Sequence, residues 1–383
     1  MSNPTQHRSI YDVAITGGGL AGLSLSIQLA KKGYSVILFE KENYPFHKVC
    51  GEYISMESWD FIQSLGVDLA ALNVSRINQL TISAPNGNLL KHTLPLGGFG
   101  ISRYLLDDTL VQIAKANGVI IKENTRITDI YFTNNVFTIE DGENSYAAKV
   151  ACGSFGKRSN LDVKWKRPFA VAAKNNTNNY VGIKYHVKAD LPADTISLHN
   201  FQDGYCGISK IENGRYCLCY LTTANNLKKS NGNIKEMEQN ILSQNPHLKN
   251  IFSSVDKLYD APLTISQISF DKKSQVNDHI LFIGDAAGMI TPLCGNGMSM
   301  ALQGSKLAFE QVAAFLQNNI SREEMEQRYT QEWNDNFNKR LQIGRMIQRL
   351  FGNKTLTNIF IGMMKPFPKL VNFLVKQTHG KSF

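Results

Sequence analysis

Residues 11–40, YDVAITGGGLAGLSLSIQLAKKGYSVILFE, leave few folds open to this chain. An apolar strand over Val13, Ala14 and Ile15 runs into Gly17-x-Gly19-x-x-Gly22. A helical pattern follows through Leu23, Ile27, Leu29 and Ala30 and stops at Gly33, and a second apolar strand from Val36 to Phe39 ends on Glu40. Each glycine has its own task in such a unit. Gly17 makes the tight turn, Gly19 lets backbone approach a pyrophosphate, and Gly22 lets the helix lie close to the strand. Leu20 and Ala21 open the helix, where free N–H groups and the positive dipole end receive phosphate. Glu40, followed by Lys41, stands where a carboxylate accepts hydrogen bonds from a ribose diol, which suits an adenosine without a 2′-phosphate, as in FAD or NAD. A glycine turn without ligand would not need the strand, the helix and the acid at these distances.

A second stretch selects between those cofactors. In HILFIGDAAGMITPLCGNGMSMAL, residues 279–302, an apolar strand from Ile280 to Ile283 is closed by Gly284 and Asp285. Pro292-x-x-Gly295-x-Gly297, with Asn296 between the glycines, then leads through Met298 into a long amphipathic helix. Two glycine-rich helix starts so far apart require one long ligand or two ligands. FAD is long enough: Asp285 would bond a ribityl hydroxyl, and the helix at Gly297 would aim N–H groups at the flavin edge that becomes negative on reduction.

The segments GGGLAG…FE, HKVCGE, ISRYLLDDTL, ACGSFGKRS and FIGDAAGMITPLCGNG occur in an order that resembles FAD-dependent oxidoreductases of the p-hydroxybenzoate hydroxylase fold, over roughly residues 10–320. That group includes aromatic hydroxylases, geranylgeranyl reductases and flavin halogenases. The resemblance implies that Arg103 reaches the FAD pyrophosphate, that Ile127 backs the adenine, that Gly153 belongs to the cofactor site, and that Cys50 and Gly51 lie along the flavin near its ring. Taken locally, Arg103 is equally well explained by an i,i+4 salt bridge to Asp107.

Three departures bear on the reaction. Phe155 stands where the hydroxylases carry an aspartate that touches the pyridine nucleotide, so the electron donor is either NAD(P)H or a separate reductase. The basic pair Lys157 and Arg158 beside it has two readings, a contact with a nucleotide phosphate or, ahead of it, a solvated loop. Trp59, Trp165 and Trp333 are isolated, unlike the tryptophan-rich halogenase signature. HKVCGE matches the reductase branch closely, yet the segment 204–221 keeps Tyr205 and has Gly207 in place of that branch's tryptophan.

Cys50 is the one side chain singled out as catalytic. Its only neighbouring base in sequence is His47, and six scattered cysteines without a CxxC pair or a Cys/His cluster predict neither a metal site nor a disulfide framework. Weighed together, these facts make Cys50 a wall of the flavin site, with Gly51 admitting close backbone approach and Glu52 as a polar contact. Cys217 and Cys219, two apart on a strand, read as core.

The implied architecture is α/β: a Rossmann-like FAD-binding domain of the glutathione-reductase type, an inserted antiparallel β-sheet substrate domain, and a C-terminal helical segment. The expected divisions are 1–77, 98–163 and 269–320 for FAD binding, 78–97 and 164–268 for the substrate sheet, and 321–383 for the tail. An Asn-Gly pair at 86–87 marks a hairpin. At 383 residues, more than one core is expected. The formal charge of +9 is concentrated late: residues 340–383 hold eight Lys or Arg and no Asp or Glu. Nothing joins that charge to a nucleic-acid motif, so no nucleic-acid partner is expected. No leader-like or 18-residue apolar run occurs, which predicts a cytoplasmic protein. The tail has apolar residues at helical spacing (Ile343, Met346, Ile347, Leu350, Phe351, then Ile359, Phe360, Met363). Two readings stand: a layer on the FAD domain, or peripheral contact with membrane or lipid.

The expected reaction is monooxygenation of an apolar aromatic or polyketide-like small molecule through a flavin hydroperoxide. The alternative is saturation of prenyl carbon–carbon double bonds by hydride transfer, as in geranylgeranyl reductases.

Overall fold

Strands buried on both faces must be apolar throughout, and the segments read that way pair in parallel. In the computed structural model, which describes residues 10–172, 180–351, 353–378 and 380–383, Ile10–Thr16 lies between Val36–Phe39 and Ser145–Gly153, with Val13 opposite Val36 and Val150. The side chains of Ala172, Cys294 and Thr378 fall outside the described residues, as does the N-terminal stretch read above for a leader. Ile120–Lys122 extends the sheet on one side and Ile280–Phe282 on the other, both parallel. The helix Leu20–Lys31 packs against Arg103–Ala116 and Gly297–Leu316, so both glycine-initiated helices share one layer. A meander of Asp129–Thr133 and Val136–Glu140 adds antiparallel strands beside Ser145–Gly153.

Among the described residues the second sheet has nine strands, and it corrects the expectation in three ways. It is mixed rather than antiparallel, because Thr195–Phe201 runs parallel to Ser75–Ser83. It begins earlier than residue 78, because Tyr53–Ser55 pairs with Leu89–Gly100 along its edge. The chain therefore leaves the first sheet after Glu40 and enters the second at Tyr53, with Cys50 in the crossing. Finally, residues 164–268 are not strands alone. Ile234–Asn240 and Pro246–Ser254 are helices, each started by an asparagine whose side chain accepts from its first turn, Asn233 from Glu236 N and Asn245 from His247 N. They bury Met237, Leu242, Leu248 and Ile251 with Ile183, Tyr185, Leu218 and Tyr220 of the sheet. The hairpin marked by Asn86 and Gly87 forms as a five-residue connection, Gly87 supplying the left-handed backbone (φ +92°).

The tail divides between the sheets. Arg322–Phe351 buries a stripe of Met325, Tyr329, Trp333, Phe337 and Leu341 in the FAD-side core, and Tyr329 donates its hydroxyl to Phe282 O at 2.6 Å. Lys354–Met364 and Pro368–Thr378 instead pack on Leu89–Gly100 of the second sheet. A layer on the FAD domain is thus true of the first tail helix only. No described helix is long and apolar enough to cross a membrane.

Candidate functional site

The two glycine turns, some 270 residues apart in sequence, open onto one cavity of about 1260 Å³. Its wall includes Gly17, Gly19, Leu20, Ala21, Glu40 and Lys41 from the first turn and strand end. Gly284, Asp285, Pro292, Gly295, Asn296, Gly297 and Met298 come from the second, and Cys50, Gly51, Arg103 and Ile127 complete the set. Gly22 and Gly153 are behind the wall. A Cβ on Gly22 would stand 2.1 Å from Gly17 O and 2.5 Å from Ser154 Oγ, and one on Gly153 would meet the Phe155 and Phe282 rings at 2.8 Å. Both shape the site by close packing; neither faces it.

At the first turn the helix begins at Leu20 with no side-chain cap, leaving its leading N–H groups to a ligand. The space a Cβ on Gly19 would take is bounded by Arg103 Nη2 at 3.7 Å and Lys48 Nζ at 3.9 Å. Two cations beside a bare helix N-terminus are the donor set a pyrophosphate would need. The salt bridge read locally for Arg103 is present, its guanidinium gripping Asp107 through Nε and Nη2 at 2.8 Å each, and the same group faces Gly19, where the resemblance puts the pyrophosphate. Asp107 also takes Lys48 at 3.0 Å. Burial pushes the Asp107 carboxyl up, but Arg103 and Lys48 outweigh it and hold the net value below the usual range. Glu40 is buried, with Gly18 N–H at 2.9 Å on Oε2 and Glu42 N–H at 3.2 Å on Oε1, so its carboxylate is aimed from the strand end. At the other end, Gly295 takes a left-handed turn (φ +64°) before the Gly297–Leu316 helix, and burial raises the Asp285 carboxyl against Lys273, Arg103 and Lys157. This donor set fits FAD: cations and N–H groups for its phosphates, a carboxylate for its ribose, and a second helix start for its ring.

Cys50 lines the cavity half-buried. Burial pushes its thiol up, so at neutral pH it is an S–H, and its carbonyl accepts from Cys217 Sγ at 3.2 Å. His47 is engaged elsewhere, stacked on Tyr104 at 4.5 Å and edge-on to His186 at 5.2 Å. Cys219 also faces the cavity, with its thiol raised by burial to about 12, which corrects its reading as core. Phe155 sits against Phe282 and Trp165. Lys157 and Arg158 lie half-exposed in the turn after Ser145–Gly153, at the cavity wall, and bond Ser266 O and the Gln267 side chain.

The sequence reading missed a buried cluster behind Cys50. Glu52 takes Arg103 N–H at 2.8 Å and the Lys184 ammonium on Oε1, and lies 2.6 Å from His186 Nε2 through Oε2. Glu52, His186 and Cys217 place donor atoms within 4.8 Å of one another, but the Lys184 ammonium already neutralises that carboxylate. A signal existed: Lys184 and His186 are polar residues two apart within the apolar run of Tyr180–Lys188, whose other charged residue, Lys188, is its exposed last position. The other part missed is the inner face of the tail. Ile347, Leu350, Phe351, Phe360, Ile361 and Val371 wall the cavity opposite Leu80, Ile82 and Leu198 of the second sheet.

Known proteins resemble this arrangement. Conditioned medium factor receptor 1 of Dictyostelium discoideum is 29% identical over 362 residues, 85% of this chain and 68% of that protein. A digeranylgeranylglycerophospholipid reductase of Methanococcus vannielii is 22% identical over 365 residues, 85% of this chain and 82% of that protein. The flavin-dependent brominase Bmp2 shares the fold with a TM-score of 0.77 at 21% identity, covering 97% of this chain and 93% of that one. The family described as FAD binding domain matches residues 10–339, which span both glycine turns and the whole second sheet. With its donor set and its matched length in agreement, the chain belongs to the FAD binding domain family of flavoenzymes.

Proposed function

We propose that this flavoenzyme saturates carbon–carbon double bonds of a long, prenyl-type apolar chain. One observation carries the reading: beyond the glycine turns the cavity is walled by aliphatic and aromatic side chains from the second sheet and from all three tail helices. Such a wall gives a flexible hydrocarbon the burial it needs, at roughly 25 cal/mol per Å² removed from water. The reductase among the relatives supports the same substrate class. Bound and reduced, FAD would supply a hydride to such a bond, with the second hydrogen taken as a proton from solvent.

The chain's own residues bind, orient and exclude water. Arg103, Lys48 and the Leu20 helix start would hold the phosphates and Glu40 the ribose, while the tail helices supply apolar wall for the substrate. Cys50 and Cys219 present protonated thiols to the cavity, because burial disfavours the thiolate of each.

Monooxygenation, ranked first from sequence, is the second reading, and Tyr205 and Ser209 in the same wall favour it as groups that could orient a polar ring. One experiment separates the two. The FAD-loaded protein, reduced with dithionite without air, is given a geranylgeranyl lipid and the product is weighed by mass spectrometry. A gain of two hydrogens per double bond is expected. A product gaining oxygen, and only in air, would replace this reading with the second; no change under either condition would remove the reductase reading.

A further inference from the structure

The last two helices are apolar on both faces, although one face suffices to pack a surface helix. Their inner faces wall the cavity through Phe360, Ile361, Met364, Val371, Leu374 and Val375. Their outer faces carry Leu356, Ile359, Met363, Phe367, Leu370 and Phe373, each between 43% and 58% exposed. These six are more than a third of the sixteen large apolar side chains exposed among the described residues, gathered within residues 356–373. The spacing 356, 359, 363 on one helix and 370, 373 on the next makes this a face rather than a scatter. Lys354, Lys365, Lys369 and Lys376 are exposed on the same two helices or their junction, and residues 340–383 contain no acidic side chain.

We infer that this face docks on an anionic lipid bilayer, Phe367 and Phe373 entering the interface while the lysines meet the headgroups. Charge selects the occupant: a patch with aromatics, lysines and no counter-charge suits anionic lipid, whereas a second copy would set the same lysines against each other. The location adds a consequence. A single layer of helix separates the docking face from the cavity, so an apolar chain leaving the bilayer crosses only that layer. This goes beyond the reductase reading and is measured without turnover. A failed turnover assay leaves it standing, and failed docking leaves the reductase reading standing.

The test is sedimentation of the full FAD-loaded chain with phosphatidylcholine vesicles, plain or containing about a third phosphatidylglycerol. Binding to the anionic vesicles is expected. Lys365→Gln with Lys369→Gln should weaken it roughly 30-fold on anionic vesicles and leave plain vesicles unchanged, at about a fivefold effect per charge. Phe367→Ser with Phe373→Ser should weaken binding at least ~10-fold on both vesicle types. Flavin spectra and melting curves should match the parent, since all four side chains are exposed. Equal binding to both vesicle types, no binding to either, or variants that sediment like the parent would overturn the inference. A self-associated form abolished by the Phe double variant, without vesicle binding, would also overturn it by making the face a contact between copies.

Discussion

Replacing Glu52 by Gln keeps the side-chain shape and removes one charge from the centre of the molecule. Glu52, Lys184 and His186 are at most 2% exposed, so no water can substitute for the lost carboxylate. Lys184 would retain Lys48 O at 3.1 Å as a partner, and the Gln oxygen could still accept from Arg103 N, but the buried ammonium would have no counter-charge. Breaking a buried pair in this way costs about 3–5 kcal/mol, and the surviving hydrogen bonds put Glu52→Gln near 3 kcal/mol. Against a typical total of about 5–15 kcal/mol, that shift is easily read in a urea titration followed by far-UV circular dichroism. The companion variant, Glu52→Gln with Lys184→Met, removes both charges and should recover at least half of the loss, because apolar replacements of buried pairs are often neutral or stabilising. A single variant costing under about 1 kcal/mol, or a double variant no better than the single, would refute the reasoning. The pH dependence has a definite sign. Burial raises the Glu52 carboxyl, yet His186 and Lys184 outweigh it, and its net value lies below the ordinary one. Its contribution is therefore complete above the unfolded value and is lost as pH falls through the folded one. The Lys184 value is raised despite burial, so its share is present below the unfolded lysine value and is lost as pH rises through the folded one. Glu52→Gln should flatten the acid limb of the stability curve.

Gly22→Ala should abolish flavin retention, because the new Cβ would overlap Gly17 O; a purified variant with the parent's ratio of flavin to protein absorbance would contradict this. Cys50→Ser should keep FAD and near-normal turnover, since burial already keeps the thiol protonated; turnover lost by tenfold or more with FAD retained would restore a chemical role to Cys50. Ile361→Trp should fill part of the apolar cavity and lower kcat/KM for long-chain substrates more than for short ones, and an unchanged chain-length profile would argue against the tail wall as the substrate site.

Half of the cofactor site was legible in the chain because its chemistry is local. A glycine turn, a helix start and an acidic strand end lie within 24 residues of one another from Gly17 to Glu40, and the second turn repeats the device at residues 284–298. Backbone geometry and peptide dipoles need only neighbours in sequence, so residue type and spacing reveal them. The apolar spacing of the tail was equally plain, as was its want of acidic residues.

What sequence could not decide is what depends on partners far along the chain. Arg103 comes to Gly19 because Leu20–Lys31 and Arg103–Ala116 pack together, and it shares Asp107 as an ion-pair partner with Lys48. Glu52 is buried because Tyr53–Ser55 joins the edge of the second sheet, and it stays charged because strand Tyr180–Lys188, some 130 residues later, delivers Lys184 and His186 to it. The tail shows the limit most clearly. Helical periodicity marks Ile359, Phe360 and Met363 alike as apolar, yet Phe360 walls the cavity while Ile359 and Met363 face outward. Burial is a property of the surface a helix lands on, and that surface, the strand Leu89–Gly100, is set by tertiary packing rather than by the helix's own residues.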